Sequence, residues 1–182
     1  MKAEVKDRPE EKFPPAFWSP PTGEDMSALS EMHRGRRFDG SLVLAVARRC
    51  RHGFPQVTVC SPAASDGSPF PTLFWLSCPY LVQKCGELES RQLIAELEAI
   101  FAAMPERIAL LHESYAKLRE QVLRESADKM GEQMRQKTAE LLSNAGVGGI
   151  NWRTSLSAVK CLHLQTAAWL GLGWHPASCW LS

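Results

Sequence analysis

Three short β-prone runs lie close together in the first half of the chain, and helix-type patterns follow them. Residues 42–47 are continuously apolar, residues 55–60 alternate apolar and polar side chains, and residues 70–77 are rich in aromatic residues. Turn chemistry separates the runs, with His-Gly-Phe-Pro at 52–55 and Ser-Asp-Gly-Ser-Pro at 65–69. Because connections this short join neighbouring strands, the pattern predicts a three-stranded antiparallel meander.

Helical periodicity dominates the remainder of the sequence. The Cys78-Pro79 pair indicates a helix start, since the first helical position tolerates proline. Apolar residues recur at helical spacing from Leu88 up to Pro105, where the first helix is expected to break. Pro105 then begins a second, longer helix, whose apolar stripe weakens after Leu123. Residues 155–172 have the composition of a last helix. The sequence therefore predicts an α+β fold, in which a small three-stranded antiparallel sheet packs against two long helices and a C-terminal helix.

The chain is expected to hold one domain and a tail. Residues 39–182 are enough to bury one hydrophobic core and are predicted to form a single α+β domain. Residues 1–38 mix charges with prolines and show no periodic apolar face, which predicts a disordered or loosely docked N-terminal tail. Two aromatic residues of this segment, Phe17 and Trp18, leave open whether it docks on the domain.

The composition limits the partners, the location and the disulfide content that the protein is expected to have. The formal charge of +1 argues against a bulk electrostatic attraction to nucleic acid or to an anionic membrane. The apolar runs are too short to span a membrane, and no signal-peptide pattern begins the sequence, so a cytoplasmic location is expected. The six cysteines lack the regular spacing of a disulfide scaffold, which favours free thiols or metal ligands.

Cysteine and histidine residues from three distant places form a candidate site. Cys161 and His163 lie two positions apart in an apolar segment, and Cys50 and Cys78 end the first and third predicted strands. A meander brings those two strand ends to the same edge of the sheet, while Cys60, at the end of the middle strand, lies at the opposite edge. We therefore expect Cys50 and Cys78 to converge on the segment that contains Cys161 and His163.

Four motifs give the chain a resemblance to a known family. They are Arg49-Cys50-x-x-Gly53-x-Pro55-x-Val57, residues 67–81 from Gly67-x-Pro69-Phe70 to Ser77-Cys78-Pro79-Tyr80-Leu81, Gly148-Gly149-Ile150, and Val159-Lys160-Cys161-Leu162-His163. In this order, over about residues 41–176, they resemble the bacterial domain of unknown function 501. The resemblance implies no activity. It places Cys50, Cys78, Cys161 and His163 on family motifs, and its gene neighbours hint at a cell-division or polyphosphate context.

A metal site is the first functional hypothesis. Three thiols and one imidazole, from Cys50, Cys78, Cys161 and His163, are a full ligand set for zinc, and thiolates also hold iron–sulfur clusters. The spacing is less favourable, because positions 161 and 163 lie about 200° apart on a regular helix. Both can bind one ion only if the helix begins at or after them, or is distorted there.

Two other classes of function stay open. In a thiol-dependent enzyme, Cys78 or Cys161 would act as the nucleophile with His163 as general base, and Lys160 or Arg49 would hold an anionic group. In a scaffold or interaction protein, the cysteines would pack as small apolar residues. The polar helical segment 124–137 would then bind a partner or a second copy.

Overall fold

A computed structural model describes residues 15–35, 38–64, 66, 68–125 and 132–182. Three strands and seven α-helices lie in this part of the chain, which confirms the α+β class. They are α1 (Gly23–Met32), β1 (Val43–Arg49), β2 (Pro55–Cys60), β3 (Phe74–Leu76), α2 (Pro79–Ser90), α3 (Leu93–Ala102), α4 (Pro105–Glu125), α5 (Glu132–Leu142), α6 (Leu162–Leu172) and α7 (Ser178–Leu181).

The sheet is the predicted meander, with strand order β1-β2-β3 and both pairs antiparallel. Val43 pairs with Cys60, and Arg49 pairs with Pro55 at the other end of the β1–β2 ladder. β2 is the central strand and is buried along most of its length. This register places the end of β1 and the end of β3 beside the start of β2. Cys50 and Cys78, which follow these two strand ends, therefore lie at the same edge of the sheet, as predicted.

Helix α6 packs across the sheet and closes the core. The approach is close because Gly171 presents no side chain to Phe74, which is 1% exposed. Tyr115 of α4 fills the other side of Phe74, and its hydroxyl accepts a hydrogen bond from the Leu73 amide at 2.7 Å. Burial raises the pKa of Tyr115 to about 12, so the phenol stays protonated and serves packing.

Both predicted long helices are divided. The first breaks between α2 and α3, where Gln92 adopts a left-handed conformation with φ of 63°. The second ends as α4 at Glu125, and α5 packs back against α4. Arg119 of α4 is buried and donates to the carbonyl of Leu142 at 2.7 Å, and so caps the end of α5. Residues 126–131 of the predicted partner-binding segment 124–137 lie outside the described residues.

Residues 15–35 of the N-terminal segment pack against the sheet. Ser19 forms an antiparallel bridge with Val46, so the segment adds to the edge of β1. Trp18 joins the core, where its indole Nε1 donates to the carbonyl of Gly171 at 3.3 Å. Single aromatic and charged residues, such as Trp18 and Asp25, anchor this segment without any periodic apolar face.

An ion pair fixes α1 to the sheet. Arg49 of β1 donates to both carboxylate oxygens of Asp25, at 2.6 and 2.8 Å, and Asp25 also caps α1 through the amide of Thr22. The hydrogen bond from Arg49 holds the pKa of Asp25 well below its usual range. Arg49 is therefore engaged in the fold, which leaves Lys160 as the other residue that the enzyme hypothesis offered for an anionic group.

Across the described residues, no helix combines the length and the apolar character needed to cross a lipid bilayer.

Candidate metal centre

The first turn of α6 carries the Cys161 and His163 pair. The predicted helix over 155–172 begins only at Leu162, and Cys161 is its N-cap residue with an extended backbone, φ −164° and ψ 158°. An extended residue before the helix is not bound by the helical rotation of 100° per residue. The condition for Cys161 and His163 to serve one site is therefore met.

Two carboxylates from neighbouring helices fix where α6 begins. Glu89, at the end of α2, accepts a hydrogen bond from the amide of Leu162 at 2.6 Å. Glu98 of α3 accepts one from the amide of Val159 at 2.9 Å. The first amides of a helix have no partner within it, so Glu89 caps α6 from elsewhere in the chain, while Glu98 binds an amide of the segment that precedes the helix. This tertiary capping explains why residues 155–161 are not helical despite their composition.

His163 is oriented through both ring nitrogens. Its Nδ1 lies 2.9 Å from Oε1 of Glu89, and its Nε2 lies 3.1 Å from the carbonyl oxygen of Val82 in α2. Both neighbours are hydrogen-bond acceptors, which favours the protonated ring. The hydrogen bond with Cys161, followed by the interactions with Glu89, raises the pKa of His163 to about 9 against the opposing effect of burial.

Three different donor groups converge at this point. The Glu89 carboxylate, the Cys161 thiol and the His163 imidazole each offer one ligand atom, and these atoms all lie within 4.8 Å of one another. All three side chains are partly buried. We call Glu89, Cys161 and His163 the Glu–Cys–His cluster. Oxygen, sulfur and nitrogen ligands of these types are those that zinc accepts.

The predicted ligand set is brought together only in part. Cys50 and Cys78 do lie at one end of the sheet: the Cys50 amide bonds Phe54 in the turn before β2, and the Cys78 amide bonds Gln56 of β2. Neither belongs to the Glu–Cys–His cluster, which is the one group of three or more potential ligands found among the described residues. Cys78 precedes α2, whereas Glu89 lies eleven residues along it, about 16 Å by the helical rise.

The structure also gives the positions of Cys78 and Cys60, for which the sequence made predictions. Cys78 is the N-cap of α2 with proline following it, as predicted, and its side chain makes no capping hydrogen bond. Cys60 pairs with Val43 at the opposite end of the sheet, which agrees with its exclusion from the site. Burial raises the pKa of Cys60 to about 12, so its thiol is a packing group.

Sequence reasoning missed Glu89, because it drew its candidate ligands from cysteine and histidine residues alone. The signal was present in the spacing of Val82, Cys85 and Glu89, which follow one another at steps of three and four along α2. This face contacts α6: Val82 bonds His163, and the Cys85 thiol lies 3.5 Å from the Thr166 hydroxyl. Glu89 therefore continues a buried stripe and does not belong to the solvated face.

Comparison with known proteins identifies a family and no function. No curated protein matches the chain, and no solved structure matches it. A family model described as "Protein of unknown function (DUF501)" matches residues 46–182, which include β2, β3 and every helix from α2 onward. The match covers well over half of the sequence and contains the whole Glu–Cys–His cluster, and the chain therefore belongs to the DUF501 family of proteins of unknown function.

Proposed function

We propose that this protein is a metal-binding module that holds a zinc ion through Glu89, Cys161 and His163. The observation that carries the proposal is the convergence of three different ligand atoms within 4.8 Å of one another, from two helices that are distant in the sequence. The 2.9 Å between His163 Nδ1 and Glu89 Oε1 is slightly shorter than the separation of two ligands in a tetrahedral zinc site. Binding of the ion requires a small opening of this pair and release of the proton from Nδ1, since a histidine ligand is neutral.

The surroundings of His163 support this assignment. A histidine that binds a metal through one nitrogen usually donates its other ring N–H to a carbonyl or a carboxylate, which fixes the ring. Here the Nε2 of His163 is engaged with the carbonyl of Val82, so Nδ1 is the nitrogen that faces Glu89 and Cys161. The amide of Leu162 orients Glu89 in a comparable way.

The ligand types favour zinc over an iron–sulfur cluster. Cluster sites use four cysteine thiolates, or two cysteines with two histidines, whereas the Glu–Cys–His cluster offers one thiolate. Three protein ligands also leave one position of a tetrahedral ion open, which is the arrangement of catalytic zinc sites and differs from closed structural sites.

Titration with Zn²⁺ and with Co²⁺ tests the proposal. The wild-type protein is expected to bind one equivalent, and bound Co²⁺ should give the visible bands of a tetrahedral site with a thiolate ligand. Cys161→Ser, His163→Gln and Glu89→Gln should each weaken binding by about 100-fold or more, because loss of a ligand exceeds the 10–100-fold cost of losing an outer partner. Folded wild-type protein that binds neither ion would refute the metal site.

Matched cysteine variants separate this ligand set from the one predicted from sequence. Cys50→Ser and Cys78→Ser remove thiols that lie outside the Glu–Cys–His cluster, and Cys179→Ser removes an exposed thiol of α7. All three should bind Zn²⁺ within about twofold of the wild type. If Cys50→Ser and Cys78→Ser lose the metal while Glu89→Gln retains it, the ligands are Cys50, Cys78, Cys161 and His163.

The position of Cys161 favours a second candidate function, thiol-dependent catalysis. Cys161 is the N-cap residue of α6, and its thiol lies within 4.8 Å of the His163 imidazole, which is the pairing of groups that cysteine nucleophiles use. Alkylation with iodoacetamide in the presence of a chelator should then label Cys161 faster at neutral pH than the exposed Cys179. Equal labelling of the two cysteines would remove this candidate.

A further inference from the structure

A cavity of about 340 Å³ opens beside the Glu–Cys–His cluster. Cys161 and His163 form part of its wall, so a molecule in the cavity reaches the two ligand side chains directly. This volume lies at the lower end of the range for small-molecule sites. The cavity is therefore suited to a compact ligand.

Carbon atoms dominate the remaining wall. Aromatic and aliphatic side chains come from β3, α2 and α6, namely Phe74, Trp75, Leu76, Val82 and Leu164. Among the described residues that line the cavity, none is a lysine, an arginine, an aspartate or a glutamate. A charged group placed away from His163 would be desolvated without a partner, so the body of a bound ligand is apolar and neutral.

Two further polar residues border the cavity and belong to ordered parts of the fold. His33, which follows α1, is 6% exposed, stacks on Phe38 with ring centroids 4.2 Å apart, and places Nε2 3.2 Å from the hydroxyl of Ser77. Thr72 lies in the segment before β3. His33 precedes residues 46–182, so part of this wall comes from outside the family match.

We propose that this cavity binds a small molecule with a neutral aromatic or branched aliphatic body and an oxygen-donor head. The head takes the open coordination position of the metal held by Glu89, Cys161 and His163, and the body lies against Trp75 and Leu164. This inference rests on the proposed metal centre. It adds the class of ligand that the centre accepts.

Two hydroxamates test the inference on the full chain loaded with Co²⁺. Acetohydroxamate and benzohydroxamate share the metal-binding head and differ in the body, which is a methyl group in one and a phenyl ring in the other. Benzohydroxamate is expected to change the visible Co²⁺ spectrum at a concentration about tenfold lower or more, because its ring buries apolar surface in the cavity. Equal affinities would overturn the inference and leave the metal centre standing, whereas absence of Co²⁺ binding would overturn both.

Variants of the wall locate the ring. Leu164→Ala removes contacts in the cavity, and Leu170→Ala changes a half-buried leucine of the same helix that does not line it. Leu164→Ala should weaken benzohydroxamate by about threefold or more and acetohydroxamate by less than about twofold, while Leu170→Ala changes neither. Thr72→Phe, which fills the cavity, provides a second reading if Leu164→Ala does not fold. Unchanged preference for benzohydroxamate in the folded wall variants would place the ring elsewhere and refute the assignment.

Discussion

Replacing Gly171 by alanine should destabilise the protein, although the same change inside a helix normally does the opposite. An added Cβ at Gly171 would lie within 3.0 Å of three atoms of the Phe74 ring, with Cγ at 2.6 Å. Non-bonded carbons are comfortable at about 3.5–4.0 Å. The ring cannot withdraw easily, because Trp18 and Tyr115 pack edge-to-face against it with centroids 5.7 and 5.8 Å away.

Two opposing terms set the size of the effect. Alanine gains about 1 kcal/mol over glycine in a helix, and overpacking a core costs about 1–3 kcal/mol. With Phe74 held on both sides, the cost falls near the upper end, so we expect a net loss of about 2 kcal/mol in the free energy of unfolding. For a chain of this size this corresponds to a fall of about 4–8 °C in Tm.

A matched control is available in α2. A Cβ at Gly86 would meet no atom within 4 Å, so Gly86→Ala should raise the free energy of unfolding by about 0.5–1 kcal/mol. Urea titrations followed by circular dichroism measure both variants, and Phe74→Leu in the Gly171→Ala background should recover part of the loss. If Gly171→Ala proves as stable as Gly86→Ala, the close approach of α6 to the sheet is wrong.

Three further outcomes test other parts of the fold. Trp18→Ala should lower the free energy of unfolding by about 3 kcal/mol, while the neighbouring Phe17→Ala, with a side chain 42% exposed, should lower it by less than about 1 kcal/mol in the same urea titration. Arg119→Lys should cost about 2–3 kcal/mol, because a single ammonium cannot reach the several backbone carbonyls that the guanidinium bonds; a loss below about 0.5 kcal/mol would contradict this capping role. Burial lowers the pKa of His112 to about 4, so between pH 6.5 and 4 the unfolded chain binds a proton that the folded chain does not, and stability should fall as the pH drops through this range. His112→Asn, which can retain an acceptor for the amide of Val147, should flatten that pH dependence; an unchanged slope would assign it to other groups.

The sheet was predictable because its signals are local. Residues 55–60 alternate with period two, and turn residues flank this run on both sides. These signals depend only on neighbours in the sequence, and they predicted the meander and the edge of the sheet at which Cys50 and Cys78 lie. The break between α2 and α3 was not predictable in this way. Gln92 is a common helical residue, and nothing in its neighbourhood signals the left-handed conformation that separates α2 from α3.

The candidate site was predictable only for the residues that carry distinctive chemistry. Cys161 and His163 are conspicuous in an apolar segment, whereas Glu89 is one of several glutamates on α2 and α3. Its role depends on the packing of α2 against α6, which residue composition does not encode. The start of α6 at Leu162 has the same origin, because Glu89 and Glu98 provide hydrogen-bond partners that a local reading of residues 155–161 cannot include.

The hydrogen bonds from the start of α6 and the segment before it to distant carboxylates have a consequence for how the protein is made. Glu89 and Glu98 are separated from their amide partners by 73 and 61 residues. At synthesis rates of about 5–20 residues per second, Glu89 leaves the peptidyl transferase centre roughly 4–15 s before Leu162 is added. The sheet and α2 have local partners during this interval, but the Glu–Cys–His cluster does not yet exist. Its assembly therefore belongs to the late docking of α6, and a nascent chain that stops before this step lacks the cluster.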